Sequence, residues 1–269
     1  MGVIPDLEQV AAIMREVARD EILSRFQALA KDEIWEKARG GTVTTADMES
    51  ERRLKSALSE MVSGSVVLAE EEAEENSASI DCLHGDAPVW IVDPLDGTRN
   101  FAAGNDTFAM IVAYFDRGAV RAGWILEPAT GRMAVAAEGA GAWNDDGPLK
   151  ASSPAPTEHQ TGFLGNRIRR NEDVAARFGK LVNLRCRGIE YMALASGRLD
   201  FAHYRSLKPW DHAAGDLIVR EAGGYVAGFD SAARYQPAAP DYNGLLVASD
   251  VKSWREIADL LRPAVAALG

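Results

Sequence analysis

With 269 residues, 47% of them hydrophobic and 26% charged, the chain has the composition of a folded globular protein with room for a large core. Its 40 acidic against 29 basic side chains leave a net charge of −11, which repels nucleic acid over most of the surface. Its longest apolar runs fall well short of the roughly 20 residues a spanning helix needs, and no leader-like segment opens the chain, so the expected setting is the cytoplasm, away from membranes.

From Asp6 to Leu29 apolar residues recur at helical spacing, which predicts one long amphipathic helix ended before Gly40-Gly41. A second helix is expected from Thr44-Thr45-Ala46-Asp47, with a threonine cap and an apolar stripe through Met48, Leu54, Leu58 and Met61. Asp47 there is either a carboxylate drawn to the helix dipole or part of a site. Ser65–Ala69 reads as a short buried strand running straight into Glu70-Glu71-Glu72. Alone, that acidic run is a solvated loop. If it ends a strand beside Val89–Val92, however, Glu70 and Asp93 leave one sheet edge together, where ligand sites of α/β sheets form. Ser77–Pro88 between them is a polar surface connection, with His84 facing solvent.

The strand ending in Asp93 continues as Asp93-Pro94-Leu95-Asp96-Gly97-Thr98, with Asn100-Phe101 behind. Two carboxylates at one strand end suit a hard divalent cation such as Mg²⁺, which prefers oxygen ligands and shares them with substrate phosphate. Gly97 has no Cβ to block an anion, and a helix starting at Thr98 would aim free N–H groups at it. The plainer alternative is a carboxylate-rich turn with no ligand.

Phe108–Phe115 and Ala119–Leu126 then read as a hairpin, Arg132–Ala137 as a further strand, and Asn144-Asp145-Asp146-Gly147 as a turn, so that residues 1–150 form an α+β lobe with an antiparallel meander. After the Ser/Pro/Thr-rich stretch Ser152–Thr161, strands are expected at Gly162–Leu164, Leu181–Cys186, Asp200–Tyr204, Tyr225–Ala227 and Leu245–Ala248. Helices are expected from Glu172, over Glu190–Ser196 and Asp211–Ala222, and over Val251–Val265. Residues 151–269 are therefore read as an α/β lobe. Asp211, near a helix start, is a plain cap or a ligand; His212 and Trp210 are read as packing residues, and Cys82 and Cys186 as free thiols.

Taken together, Asp93-Pro94-Leu95-Asp96-Gly97-Thr98, Trp210-Asp211-x-Ala-Ala-Gly, Ala69-Glu70-Glu71 and Thr44-Thr45-Ala46-Asp47 resemble, in order and spacing, the motifs of the inositol monophosphatase family of Mg²⁺-dependent, lithium-sensitive phosphatases. The resemblance implies a layered αβαβα sandwich of the sugar-phosphatase type and a homodimer. It also implies a set of roles. Glu70, Asp93, the Leu95 carbonyl, Asp96 and Asp211 would hold two or three Mg²⁺ ions, and Gly97 and Thr98 would bind phosphate. Glu70, with Thr98 backed by Asp47, would align the attacking water.

The substrate expected is a small phosphorylated metabolite, and its identity is less legible. In inositol- and histidinol-phosphate phosphatases of the family a Glu lies seven residues before the helix-start Asp, where this chain has Tyr204. Arg205 and Lys208 lie close by, and Asn166-Arg167-Ile168-Arg169-Arg170 adds basic charge that is either a solvated face or part of the site. Nucleotide or sugar bisphosphates therefore stand beside inositol phosphate as expected substrates. Lys208-Pro209 resembles the histidinol-phosphate enzymes instead. The family's usual lysine approach to its mobile loop is not evident at Gly40–Val43. Some family members act as regulatory partners of transcription machinery, which is the non-enzymatic alternative.

Overall fold

The computed structural model describes residues 4–37, 40–239 and 244–267. Helix α1 (Leu7–Val17) starts where the Asp6 carboxylate accepts the N–H groups of Glu8 and Gln9, and it buries Val10, Met14 and Val17. It widens into a π-type turn over Ala18–Leu23 and stops there, short of the predicted Leu29. Phe26 and Leu29 keep the apolar spacing and pack on the same core, yet from a non-helical segment in which Gln27 adopts φ 60°. A small antiparallel hairpin follows, β1 (Ile34–Glu36) with β2 (Thr42–Thr44), placing Trp35 opposite Val43. Three-residue strands are too short to show alternation, so the sequence reading missed them.

Helix α2 (Thr45–Met61) opens where the Thr44 N–H and hydroxyl both donate to Asp47 Oδ2, at 2.8 and 2.6 Å. Strand β3 (Val66–Ala69) leads into α3 (Glu70–Glu75), and β4 (Val89–Asp96) into α4 (Thr98–Ala102). After them come β5 (Ala109–Asp116), β6 (Ala119–Glu127), β7 (Arg132–Ala137), β8 (Gly141–Asn144) and β9 (Gly147–Pro148). Strands β3 to β9 form one sheet in sequence order, parallel between β3 and β4 and antiparallel thereafter.

The second half runs β10 (Thr161–Leu164), α5 (Asn166–Arg169), α6 (Glu172–Ala175), β11 (Lys180–Val182), α7 (Arg187–Ala195) and β12 (Phe201–Tyr204). It closes with α8 (Pro209–Glu221), β13 (Tyr225–Gly228), β14 (Leu245–Ala248) and α9 (Val251–Ala266). These strands build a second sheet ordered β11-β10-β12-β14-β13, parallel over the first three and antiparallel over the last two pairings. Strand β11 ends at Val182 rather than the predicted Cys186, and α7 starts at Arg187 rather than Glu190. The segment between leaves the sheet through Arg185 at φ 56°.

Three apolar cores set the layering. One joins α1 and α2 to the outer face of the first sheet through Met14, Leu54, Trp90 and Trp124. A second lies between the sheets, where Tyr191 of α7 and Ala213, Ala214 and Leu217 of α8 meet Ile91, Ile111 and Ile125 on one side and Ala202, Leu245 and Val247 on the other. The third packs Ile168, Val174, Trp254, Ile257 and Leu261 on the far face of the second sheet. Helix, sheet, helix, sheet and helix thus stack in five layers, the αβαβα sandwich expected. Among the described residues no helix is long and apolar enough to cross a membrane.

Candidate active site

The cleft opens where the first sheet meets α7 and α8. Parallel pairing sets Ala69 beside Val92, so Glu70 and Asp93 leave the same sheet edge. The β4–β5 register then shifts between Asp93 and Asp96, at Pro94, a residue with no N–H to give to a ladder. Gly97 turns the chain into α4 at φ 87°, and a Cβ there would stand 3.0 Å from the Thr107 carbonyl oxygen. From the opposite side, Pro209 at the first turn of α8 presets the helix and brings in Asp211. The resulting cleft of about 600 Å³ is lined by Glu70, Asp96, Gly97, Thr98, Lys208 and Asp211 among others. Asp93 and Asp47, each 1% exposed, are buried in the same neighbourhood.

Charge is concentrated here against the cost of burial. Desolvation pushes Asp211 up to about 8, with Glu70 and Asp96 adding repulsion. Glu70 rises to about 7, again mainly through burial. Burial drives Asp93 well above the carboxylate range, and the charges of Glu70, Asp96 and Asp211 push it the same way. Asp96 is also raised by burial, but less freely, because Oδ2 accepts the Gly188 N–H at 2.7 Å and the Cys186 Sγ–H at 3.1 Å. Two lysines partly offset the set. Lys37, from the β1–β2 hairpin, lies 3.5 Å from Glu70, 2.8 Å from Glu71 and 2.7 Å from Glu74, and Lys208 also pairs with Glu74. Lys37 lies a few residues before Gly40–Val43, the stretch where the sequence reading looked for a lysine.

A set of buried carboxylates repelling one another fits a hard divalent cation, which prefers oxygen ligands. Glu70, Asp96 and Asp211 line the cleft with Asp93 buried beside it, and the side chains do not converge on one point: no three Asp, Glu, His or Cys among the described residues are grouped as ready ligands. Beside them, the Thr98 hydroxyl lies 2.9 Å from both Asp47 Oδ1 and the Leu95 carbonyl oxygen. Asp47 is pushed up to about 6 by burial, while its bonds from Thr44 and Thr98 pull it down.

The residues expected on the substrate side are placed differently. Lys208 lines the cleft. Tyr204 is 1% exposed, its ring beneath the Arg187 guanidinium at 4.8 Å, so its hydroxyl is not a cleft group. Arg205 is exposed and does not line the cleft: β12 ends at Tyr204, and the chain turns outward there. Of the basic stretch 166–170, Asn166 alone lines the cleft. Besides Lys37 and Lys208, positive charge lines the cleft at Arg99, Arg185 and Arg187, none of which the sequence reading singled out as a site residue. Arg185 falls inside the strand predicted over Leu181–Cys186 and Arg187 just before the helix predicted from Glu190, positions that carry no signal for a site. His212 is buried as a packing residue, its ring nitrogens 2.8 Å from the Tyr191 hydroxyl and 2.7 Å from the Ser206 carbonyl.

The chain is 32% identical over 195 residues, 70% of its length and 71% of the relative's, to a Thermotoga maritima protein named fructose-1,6-bisphosphatase/inositol-1-monophosphatase. It is 28% identical over 235 residues, 84% of each chain, to the Haemophilus influenzae protein named Nus factor SuhB. Among solved structures, Thermotoga maritima IMPase matches with a TM-score of 0.84 and 26% identity over 98% of this chain and 99% of that one. The model of the inositol monophosphatase family matches residues 6–267, nearly the whole chain, which makes this chain a member of that family.

Proposed function

We propose that the chain is a Mg²⁺-dependent phosphomonoesterase that hydrolyses a small phosphorylated metabolite. Family membership supports a phosphatase, and the observation that carries the finer reading is the buried, mutually repelling set of Glu70, Asp93, Asp96 and Asp211 beside the Gly97–Thr98 turn. Those four side chains and the Leu95 carbonyl would hold the ions. Bound Mg²⁺ supplies a water of lowered pKa and offsets the phosphate charge that would repel a nucleophile.

The chain's own groups orient the reaction. The cap from Thr44 fixes Asp47 Oδ2, leaving Oδ1 to accept the Thr98 hydroxyl hydrogen. With its hydrogen so committed, Thr98 Oγ1 keeps lone pairs to accept from the attacking water, which Glu70 aligns and relieves of a proton. The N–H groups of Gly97 and Thr98 are donors for the outer phosphate oxygens. A covalent route through Cys186 is disfavoured, since burial pushes its thiol well above the usual range and its hydrogen goes to Asp96.

The test is phosphate release from inositol 1-phosphate, histidinol phosphate, fructose 1,6-bisphosphate and adenosine 3′,5′-bisphosphate, with Mg²⁺ and with a chelator. Release from at least one ester, abolished by chelation, is expected; silence across the panel by folded, Mg²⁺-supplied protein overturns the reading. Relatives named Nus factor SuhB favour a second reading, a regulatory partner of transcription machinery. The complete carboxylate set is a feature that such a role does not need.

A further inference from the structure

Arg187 stands in the first turn of α7 and lines the cleft that holds Asp96 and Asp211. Its guanidinium carbon lies 5.0 Å from the Phe163 ring centroid and 4.8 Å from that of Tyr204, two rings that stack at 5.5 Å. Nη1 donates to Glu190 Oε2 at 2.9 Å, and Glu190 has no exposed surface. Aromatic faces and a buried counter-ion thus fix a flat cation in place before any ligand arrives. Glu190 is its one hydrogen-bond acceptor among the described residues, so most of the guanidinium's five donors are uncommitted. Its side chain keeps 26% exposure. Arg185 lines the same cleft with no acidic partner among the described residues. Asp96 and Asp211 also attract the Arg187 cation, so this positive charge stands directly against the bed of carboxylates.

We propose that Arg187, with Arg185 at the rim, is a second anion subsite, and that the substrate is a phosphomonoester bearing a second phosphate. The inference rests on the phosphatase reading and names its substrate class. A guanidinium offers donors and no acceptor, which matches phosphate oxygens in a bidentate pair and matches sugar hydroxyls poorly. Tyr204 contributes to this subsite as the face under the guanidinium, a role a carboxylate at that position would not fill. Glu190 is a positioning residue: it acts on the substrate through Arg187.

Binding is measured by calorimetry in Mg²⁺ with non-hydrolysable probes: alkane bisphosphonates of graded length, alkylphosphonates of the same lengths, and the matching series ending in a carboxylate. The expected result is a preference of about tenfold or more for a bisphosphonate over its monophosphonate, strongest at one length. Removing the guanidinium alone leaves Glu190 buried and unpaired, so Arg187→Ala is measured beside the double variant Arg187→Met with Glu190→Gln. Loss of the preference in the folded variants supports the subsite. Equal binding of bisphosphonate and monophosphonate, or a preference that survives both variants, overturns it while leaving the phosphatase reading intact. A preference for the carboxylate-ended series overturns the assignment to phosphate. If the native protein binds no series in Mg²⁺ and releases no phosphate from the ester panel, the phosphatase reading falls and this proposal with it.

Discussion

Asp93 is the residue on which the carboxylate set bears hardest, because burial and three neighbouring charges all oppose its ionised form. Asp93→Asn keeps the shape, and the Asn oxygen can still accept the Leu95 N–H that now reaches Asp93 Oδ1 at 3.1 Å. Two effects of opposite sign follow. Mg²⁺-dependent phosphate release is expected to fall by at least about 100-fold, since losing even a partner that orients a metal ligand costs about 10- to 100-fold. In the chelated protein the melting temperature is expected to rise, since a buried charge among like charges is gone. Kinetics beside thermal melts, each with and without Mg²⁺, check both; a lowered melting temperature without metal would make Asp93 a structural residue. At this scale the carboxylates were legible because strand ends and helix starts place them. Arg187 was not, because its role comes from Phe163, Tyr204 and Glu190, which reach it through packing rather than through local spacing.

Among the elements, α8 decides whether Asp211 reaches the cleft. Its run of small residues Ala213, Ala214 and Gly215 allows close approach on two sides: a Cβ on Gly123 of β6 would stand 3.0 Å from Ala214 Cα, and one on Gly215 would stand 2.2 Å from the Tyr191 ring of α7. Gly215→Ala therefore forces α7 and α8 apart. The expected cost is about 1–3 kcal/mol of stability, the usual range for overpacking. Because Asp211 rides on the same helix, weaker Mg²⁺ binding should accompany it. Urea denaturation and Mg²⁺ titration of the variant measure the two; full stability would show that Tyr191 moves aside at no cost. The run of small residues in α8 is readable as a packing face from residue size alone, whereas the start of α7 is not. Cys186-Arg187-Gly188 carries no Ser, Thr, Asp or Asn cap, and Cys186 caps without a side-chain hydrogen bond.

For the molecule as a whole, the α+β and α/β halves were legible in the strand and helix pattern and the five layers only in the family resemblance, while the ionisation of the interior was in neither. His203 on β12 looked like an ordinary strand residue, yet it lies fully buried with its ring 4.7 Å from that of Phe229. Desolvation, with Arg205 acting the same way and Asp230 opposing, pushes its pKa down from 6.5 to about 4. The folded state therefore refuses a proton that the unfolded chain accepts below pH 6.5. This contribution to stability is complete above that pH and is lost as pH falls towards 4, by about 3 kcal/mol at the low end. The cleft carboxylates titrate with the opposite sign, since their raised values favour the protonated folded state at low pH. Wild-type stability against pH is then a difference of opposing slopes and cannot be assigned to either. His203→Leu removes one of them. The wild-type minus variant stability, from urea denaturation at matched pH values, is expected to be flat above pH 7 and to fall steadily below 6.5. A difference that stays flat down to pH 4.5 would mean that His203 gains a proton in the folded state as readily as in the unfolded one. Its burial on β12 against Phe229 would then have been relieved by local opening of the second sheet, rather than carried by the native packing.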